Sequence, residues 1–109
     1  MSDVYDRLTA CTGFDWDEGN RRKSADRHAV TAGEAEQPFF RQPFLVVQDA
    51  AHSQIEERFY ALGQSASGRR LFLVFTFRGE RIRVSSARDM NRRERGIYDQ
   101  KAQQGTEDR

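Results

Sequence analysis

The chain has one cysteine, Cys11, two histidines and two lysines among its 109 residues. A single thiol cannot close an internal disulfide. With Cys11 alone and neither His28 nor His52 at ligand spacing from a partner, no zinc site and no other metal or cofactor is expected. No apolar run approaches the roughly 20 residues that span a bilayer, and no basic-then-apolar leader precedes Phe14. The expectation is a cytoplasmic protein with no membrane contact. A glycine-rich phosphate loop and a serine nucleophile motif are both missing, which removes the usual signals of nucleotide hydrolysis and acyl transfer.

What the chain does hold is arginine, 16 residues against two lysines. The net charge of +1 conceals a division. Ala29–Glu57 carries five acidic residues against Arg41, whereas Arg69–Arg95 carries nine arginines against Glu80, Asp89 and Glu94. A planar, permanently charged fork suits phosphate, so the bias leans towards an anionic partner; a G- and C-rich genome is the bland alternative. The length allows one domain with a modest core. Hydrophobic content of 37% is low, 32% charged residues is high, and eight phenylalanines make the expected core thin and aromatic.

Along the chain, residues 1–13 carry a weak pattern, either a short helix or a loose extension. "FDWD" (14–17) reads as a short strand running into a helix capped by Asp17, with Glu18 in its first turn. "EGNRRKSADRHAV" is polar nearly all round and offers little core face. "TAGEAEQPFF" reads as a second short helix, capped by Thr31 and stopped near Pro38. Strands follow at 44–49, 57–64, 69–77 and 81–87, joined by "SASG" and by "RGE" around Gly79. The third, "RRLFLVFTF", is near-continuously apolar and fits a central strand covered on both faces. "DMNRRERGIYDQKAQQ" is a terminal helix starting near Asp89 or Asn91, and "GTEDR" a frayed tail. The expected fold class is α+β: a short strand and two helices, a four-stranded antiparallel meander, then a helix. The expected division is an extension over 1–13, a domain over 14–99 and a tail over 100–109.

Strand periodicity places candidate site residues. In "RIRVSSA", Arg81, Arg83 and Ser85 oppose Ile82 and Val84; in "ERFYALG", Arg58, Tyr60 and Leu62 share a face. Flanking the apolar strand, Arg58 and Arg83 are expected to converge on one open face, with Arg88 just past the last strand. Arginines beside a tyrosine are what a phosphodiester needs for neutralisation and stacking. The bland alternative is that exposed strand positions are simply polar. "HSQIEERF", just ahead of these strands, adds His52 and Glu57.

Several separated blocks resemble the BrnT toxins of bacterial type II BrnT/BrnA toxin–antitoxin modules. They are "FDWD" (14–17), "RHAV" (27–30), "DAAHSQIEERFYALGQS" (49–65), "RIRVSSAR" (81–88) and "RRERGIYD" (92–99). The combination of "HSxxEERF", "IRxxSAR" and an "ER…Y" helix is specific. The resemblance implies a RelE-like fold and metal-independent ribonuclease activity that slows translation. It also implies neutralisation by a BrnA-type antitoxin, which supplies the contact with operator DNA. For an RNA substrate, His52 or Glu57 would be the base and Arg58, Arg83 and Arg88 the anion clamp. His28 or Tyr98 would serve as acid or position the substrate, with Arg27, Tyr60 and Arg81 also on the RNA. Two departures stand out: Asn20 occupies the family's lysine position four residues after the tryptophan, and the family's "KHG" is Arg27-His28-Ala29. Asn20 favours one rival reading, a toxin-like interaction module without catalysis; a second rival is a nucleic-acid-binding protein that does not cleave.

Overall fold

The computed structural model describes residues 4–52 and 56–107, and their side chains except those of His52 and of residues 104–107. In chain order the elements are α1 (Val4–Ala10), β1 (Gly13–Asp15), α2 (Glu18–His28), α3 (Ala32–Glu36), a 3-10 turn (Gln37–Phe40), β2 (Leu45–Gln48), a second 3-10 turn (Ala50–His52), β3 (Phe59–Gln64), β4 (Arg70–Arg78), β5 (Arg81–Asp89) and α4 (Arg92–Glu107). The segment before Phe14 thus holds a helix. The four expected strands form the antiparallel meander, and β1 joins β5 in parallel, giving one sheet in the order β1-β5-β4-β3-β2.

Local chemistry sets the boundaries. Asp17 caps α2 by accepting from the backbone N–H of Gly19 and Asn20, and Thr31 caps α3 through Glu34. Asn91 and Glu94 form a reciprocal box at the start of α4: Asn91 Oδ1 accepts from the Glu94 amide and Glu94 Oε1 from the Asn91 amide. Pro38 opens the 3-10 turn that follows α3. Ala29 ends α2 with φ 54° and ψ 35°, a left-handed conformation that costs a residue with a Cβ and that glycine adopts freely. Gly63 is needed for a different reason: a Cβ there would lie 2.8 Å from Pro38 Cβ and 2.9 Å from Phe44 Cδ1.

Cross-strand register sorts the sheet into two faces. Leu71, Leu73, Phe75 and Phe77 of β4 share one face with Phe59 and Ala61 of β3, Ile82, Val84 and Ala87 of β5 and Phe14 of β1. Val30, Ala35, Phe39 and Phe44 pack over it, as do Val4, Leu8 and Cys11 from α1 and its end. Phe75 is the hub, with ring centroids of Phe39, Phe59 and Phe77 at 5.2, 5.4 and 5.7 Å. This is the thin aromatic core expected from composition. α2 contributes one buried residue, Ser24, as its polar sequence implies. α1 is anchored by Arg7, whose guanidinium lies 4.1 Å from the Phe77 ring centroid and 3.0 Å from Glu57.

Candidate active site

The opposite face carries Tyr60 and Leu62 of β3, Phe72, Val74 and Thr76 of β4, Arg83, Ser86 and Arg88 of β5 and Asp15 of β1. β5 extends to Asp89, so Arg88 is a strand residue rather than one past the strand. Strict alternation would turn Arg88 away from Arg83. A bulge prevents this: Phe75 pairs with Val84 but Val74 with Ser86, so Ser85 is the extra residue. The inserted residue returns Arg88 to the face of Arg83.

One row crosses this face towards the end of the sheet nearest the β4–β5 turn. Asp15 pairs in register with Arg83, and Arg83 with Thr76. Arg58 precedes Phe59, the partner of Phe75, and so falls on the Thr76 side. A carboxylate closes each end of the row: Arg83 donates to Asp15 at 3.2 Å, and Arg58 Nε lies 3.6 Å from Asp49 Oδ2. Asp49 is buried, and the Tyr60 hydroxyl is hydrogen-bonded to it, which pushes the Tyr60 pKa up by favouring the protonated phenol. The arrangement presents two guanidiniums, oriented by carboxylates, with a tyrosine ring beside them.

The structure therefore brings together Arg58, Arg83 and Tyr60, as periodicity implied. Arg88 shares the face but lies farther along β5; it stacks 4.0 Å above the Phe72 ring and grips Glu94 with both terminal nitrogens, at 2.9 and 3.0 Å. Burial pushes the Glu94 carboxyl up, but the bonds from Arg88 and the Asn91 amide outweigh it and leave its pKa lowered. Arg81 is exposed at the start of β5 and donates to the Phe14 carbonyl.

Others are not brought to the row. Glu57 is on the core-face side, 3.0 Å from Arg7 and in reach of Gln48. Tyr98 is buried, its hydroxyl donating to the Pro43 carbonyl at 2.7 Å, and burial pushes its pKa up. Arg27 and His28 end α2, where the His28 carbonyl accepts from Arg69. The side chain of His52 lies outside the described residues. Among the described residues no three His, Cys, Asp or Glu side chains converge as a metal-ligand set, and no helix is long and apolar enough to cross a membrane.

Reading from sequence missed Asp15, Asp49 and Thr76. Each left a trace. Aspartate is depleted in strands, yet Asp15 is in one. Thr76 is the lone polar residue between Leu71 and Phe77. Asp49 follows directly on β2, and its burial is a property of the folded chain.

The five-stranded, mostly antiparallel sheet with its helices is an α+β fold, with the aromatic core on one face and the row of Arg58 and Arg83 on the other. The family model described as "Ribonuclease toxin, BrnT, of type II toxin-antitoxin system" matches residues 16–94. The chain belongs to the BrnT family. Its fold is similar to that of the Brucella abortus ribonuclease toxin BrnT, known from a 1.1 Å crystal structure, with a TM-score of 0.57 and 18% identity over 74% of this chain and 99% of that one. No curated protein matches the sequence. The family match begins at Trp16, beyond α1 and β1.

Proposed function

We propose that the chain is a metal-independent endoribonuclease that cleaves RNA on the second sheet face, and that a small BrnA-type antitoxin neutralises it by covering that face. The observation that carries this is the Asp15–Arg83–Thr76–Arg58–Asp49 row. RNA supplies its own nucleophile. The 2′-oxygen forms a bond to the adjacent phosphorus as its proton passes to a base; the bond from phosphorus to the 5′-oxygen breaks, and that oxygen takes a proton from solvent water. Negative charge grows on the non-bridging oxygens, and preoriented cations stabilise it most where water is partly excluded. Arg58 and Arg83 have side-chain exposures of 40% and 27%, so they are open to a ligand while held in place by carboxylates.

His52, which the family resemblance supplies, is the proposed base, and Tyr60 the ring on which a base stacks. Glu57 is not assigned a chemical role, because its carboxylate is engaged with Arg7 on the other side of the sheet. DNA contact is left to the antitoxin. The test is incubation of purified protein with RNA in EDTA, beside an active ribonuclease control. Cleavage yielding 2′,3′-cyclic phosphate and 5′-hydroxyl ends is expected. RNA left intact, or cleavage only on adding a divalent cation, overturns the reading.

A further inference from the structure

Among the described residues, Thr76 Oγ1 and Arg83 Nε, adjacent in the row, are buried polar atoms without a hydrogen-bond partner. They belong to cross-strand neighbours on one face. Thr76 is 9% exposed, in a strand whose other interior positions are apolar. A desolvated hydroxyl without a partner is a free-energy cost that valine, of nearly the same shape, would not carry. Buried polar groups in folded proteins are nearly always bonded, and an exception calls for a bound ligand, ion or water, or a catalytic role.

We propose that Thr76 Oγ1–H and Arg83 Nε–H are the two donors that receive a non-bridging oxygen of an RNA phosphodiester. This rests on the ribonuclease reading and adds a residue and a subsite to it. An anion meets the outer nitrogens of Arg58 and Arg83 first. As the guanidiniums turn from Asp49 and Asp15 onto the anion, the row between them opens, and one phosphate oxygen reaches the hydroxyl and Nε beneath. A guanidinium carries five N–H donors. Arg83 makes one side-chain bond among the described residues, from a terminal nitrogen to Asp15, so turning onto the phosphate gives up that bond alone and none at Nε. A hydroxyl is suited to the inner position because it adds a donor without adding charge among three strands.

The test uses full-length Thr76→Val and Thr76→Ser. Binding is measured with a 2′-O-methyl RNA oligonucleotide, which lacks the nucleophilic hydroxyl and stays intact, and turnover with a cleavable RNA of the same sequence. Thr76→Val is expected to melt at or above the wild-type temperature, to bind the oligonucleotide about tenfold more weakly and to lose at least as much in cleavage rate. Thr76→Ser, which restores the hydroxyl, is expected within about threefold of wild type in both. If Thr76→Val melts lower, the Ser-against-Val comparison is made at a temperature where both are folded. Binding and cleavage by Thr76→Val equal to wild type overturn the subsite while leaving the ribonuclease reading standing. Wild-type protein that neither binds nor cleaves overturns both. Unchanged RNA binding with loss of antitoxin binding overturns the proposal too, and assigns the donors to a carboxylate of the protein partner.

Discussion

Arg69 and Arg83 have almost the same side-chain exposure, 26% and 27%, and opposite hydrogen bonding. Arg69 uses its whole fork: Nε and one terminal nitrogen grip Asp89 at 2.6 and 3.0 Å, and the terminal nitrogens also reach Glu34 and the carbonyls of His28 and Ala29, at 2.8 to 2.9 Å. Five N–H groups make five bonds. Arg83 makes one side-chain bond and buries an unpartnered Nε. The first arginine holds the end of α2, α3 and β5 together around one cation. The second leaves donors unused by the fold, and on the proposed reading a ligand takes them up. Arginines of equal exposure thus differ in how many donors the fold itself consumes, and that difference is what assigns Arg69 to architecture and makes Arg83 the proposed chemical group.

That contrast breaks most sharply on substitution. Arg83→Ala and Arg58→Ala are each expected to lower RNA cleavage by about 100- to 1,000-fold, the scale of losing one preoriented donor at a developing oxyanion. Stability is expected to move by no more than about 1 kcal/mol, since each is partly exposed and its ion pair with a carboxylate is screened by solvent. Turnover is read on RNA and stability by urea titration. A variant that cleaves at the wild-type rate removes that arginine from the clamp; one that is inactive because it has unfolded says the row is architectural.

Arg69→Ala is the converse. It leaves Glu34, Asp89 and two carbonyls without their donor, and a loss of about 2 kcal/mol is expected. Cleavage per folded molecule should stay within about twofold, because Arg69 belongs to the node at the far end of β5 from Arg83. A large drop in turnover with unchanged stability would place Arg69 in the site and erase the distinction.

How much of this was legible beforehand follows from what periodicity carries. Alternation in β3 and β5 placed Arg58, Tyr60 and Arg83 on one face, because side-chain direction has a period of two and needs no knowledge of neighbours. The caps at Asp17 and Thr31 were legible for a similar reason: capping is local. Arg88 reached the right face by a route the sequence does not display, the bulge at Ser85, which depends on how β4 and β5 settle together. Glu57 and Tyr98 show the reverse. Both look reactive in a linear reading, and long-range contacts commit them elsewhere, one to Arg7 of α1 and the other to the Pro43 carbonyl. Asp49 became visible only once burial and the Tyr60 bond were known.

Glu57 sharpens the comparison at smaller scale. Glu57→Gln is expected to leave cleavage within about twofold and to cost under about 1 kcal/mol, since both partners of the Arg7 pair are partly exposed. The same measurements decide it. A hundredfold loss of turnover would show that the carboxylate leaves Arg7 to act on substrate, and would return Glu57 to the base position.

The smallest effect comes from the proton equilibrium of the satisfied node. The hydrogen bond from Arg69 holds the Asp89 carboxyl below the usual aspartate range, against an opposing contribution from burial and with further help from the charges of Arg69, His28 and Arg95. A folded-state pKa depressed below the unfolded one contributes stability that is fully present above the unfolded value, near about 3.9, and is lost as pH falls through the folded value. The window therefore lies below about pH 4, and neutral pH is on the plateau. Asp89 is 61% exposed on its side chain, so solvent screening keeps the contribution to a fraction of about 1 kcal/mol. Asp89→Asn retains an acceptor for Arg69 but cannot titrate. Wild type should be the more stable at pH 6, and the gap should narrow on descending to pH 3 as Asp89 takes up its proton. Subtracting the two unfolding curves cancels every other acid in the chain. A gap constant from pH 6 to pH 3 would mean that Arg69 does not hold the Asp89 charge, and that the node rests on Glu34 and the two carbonyls alone.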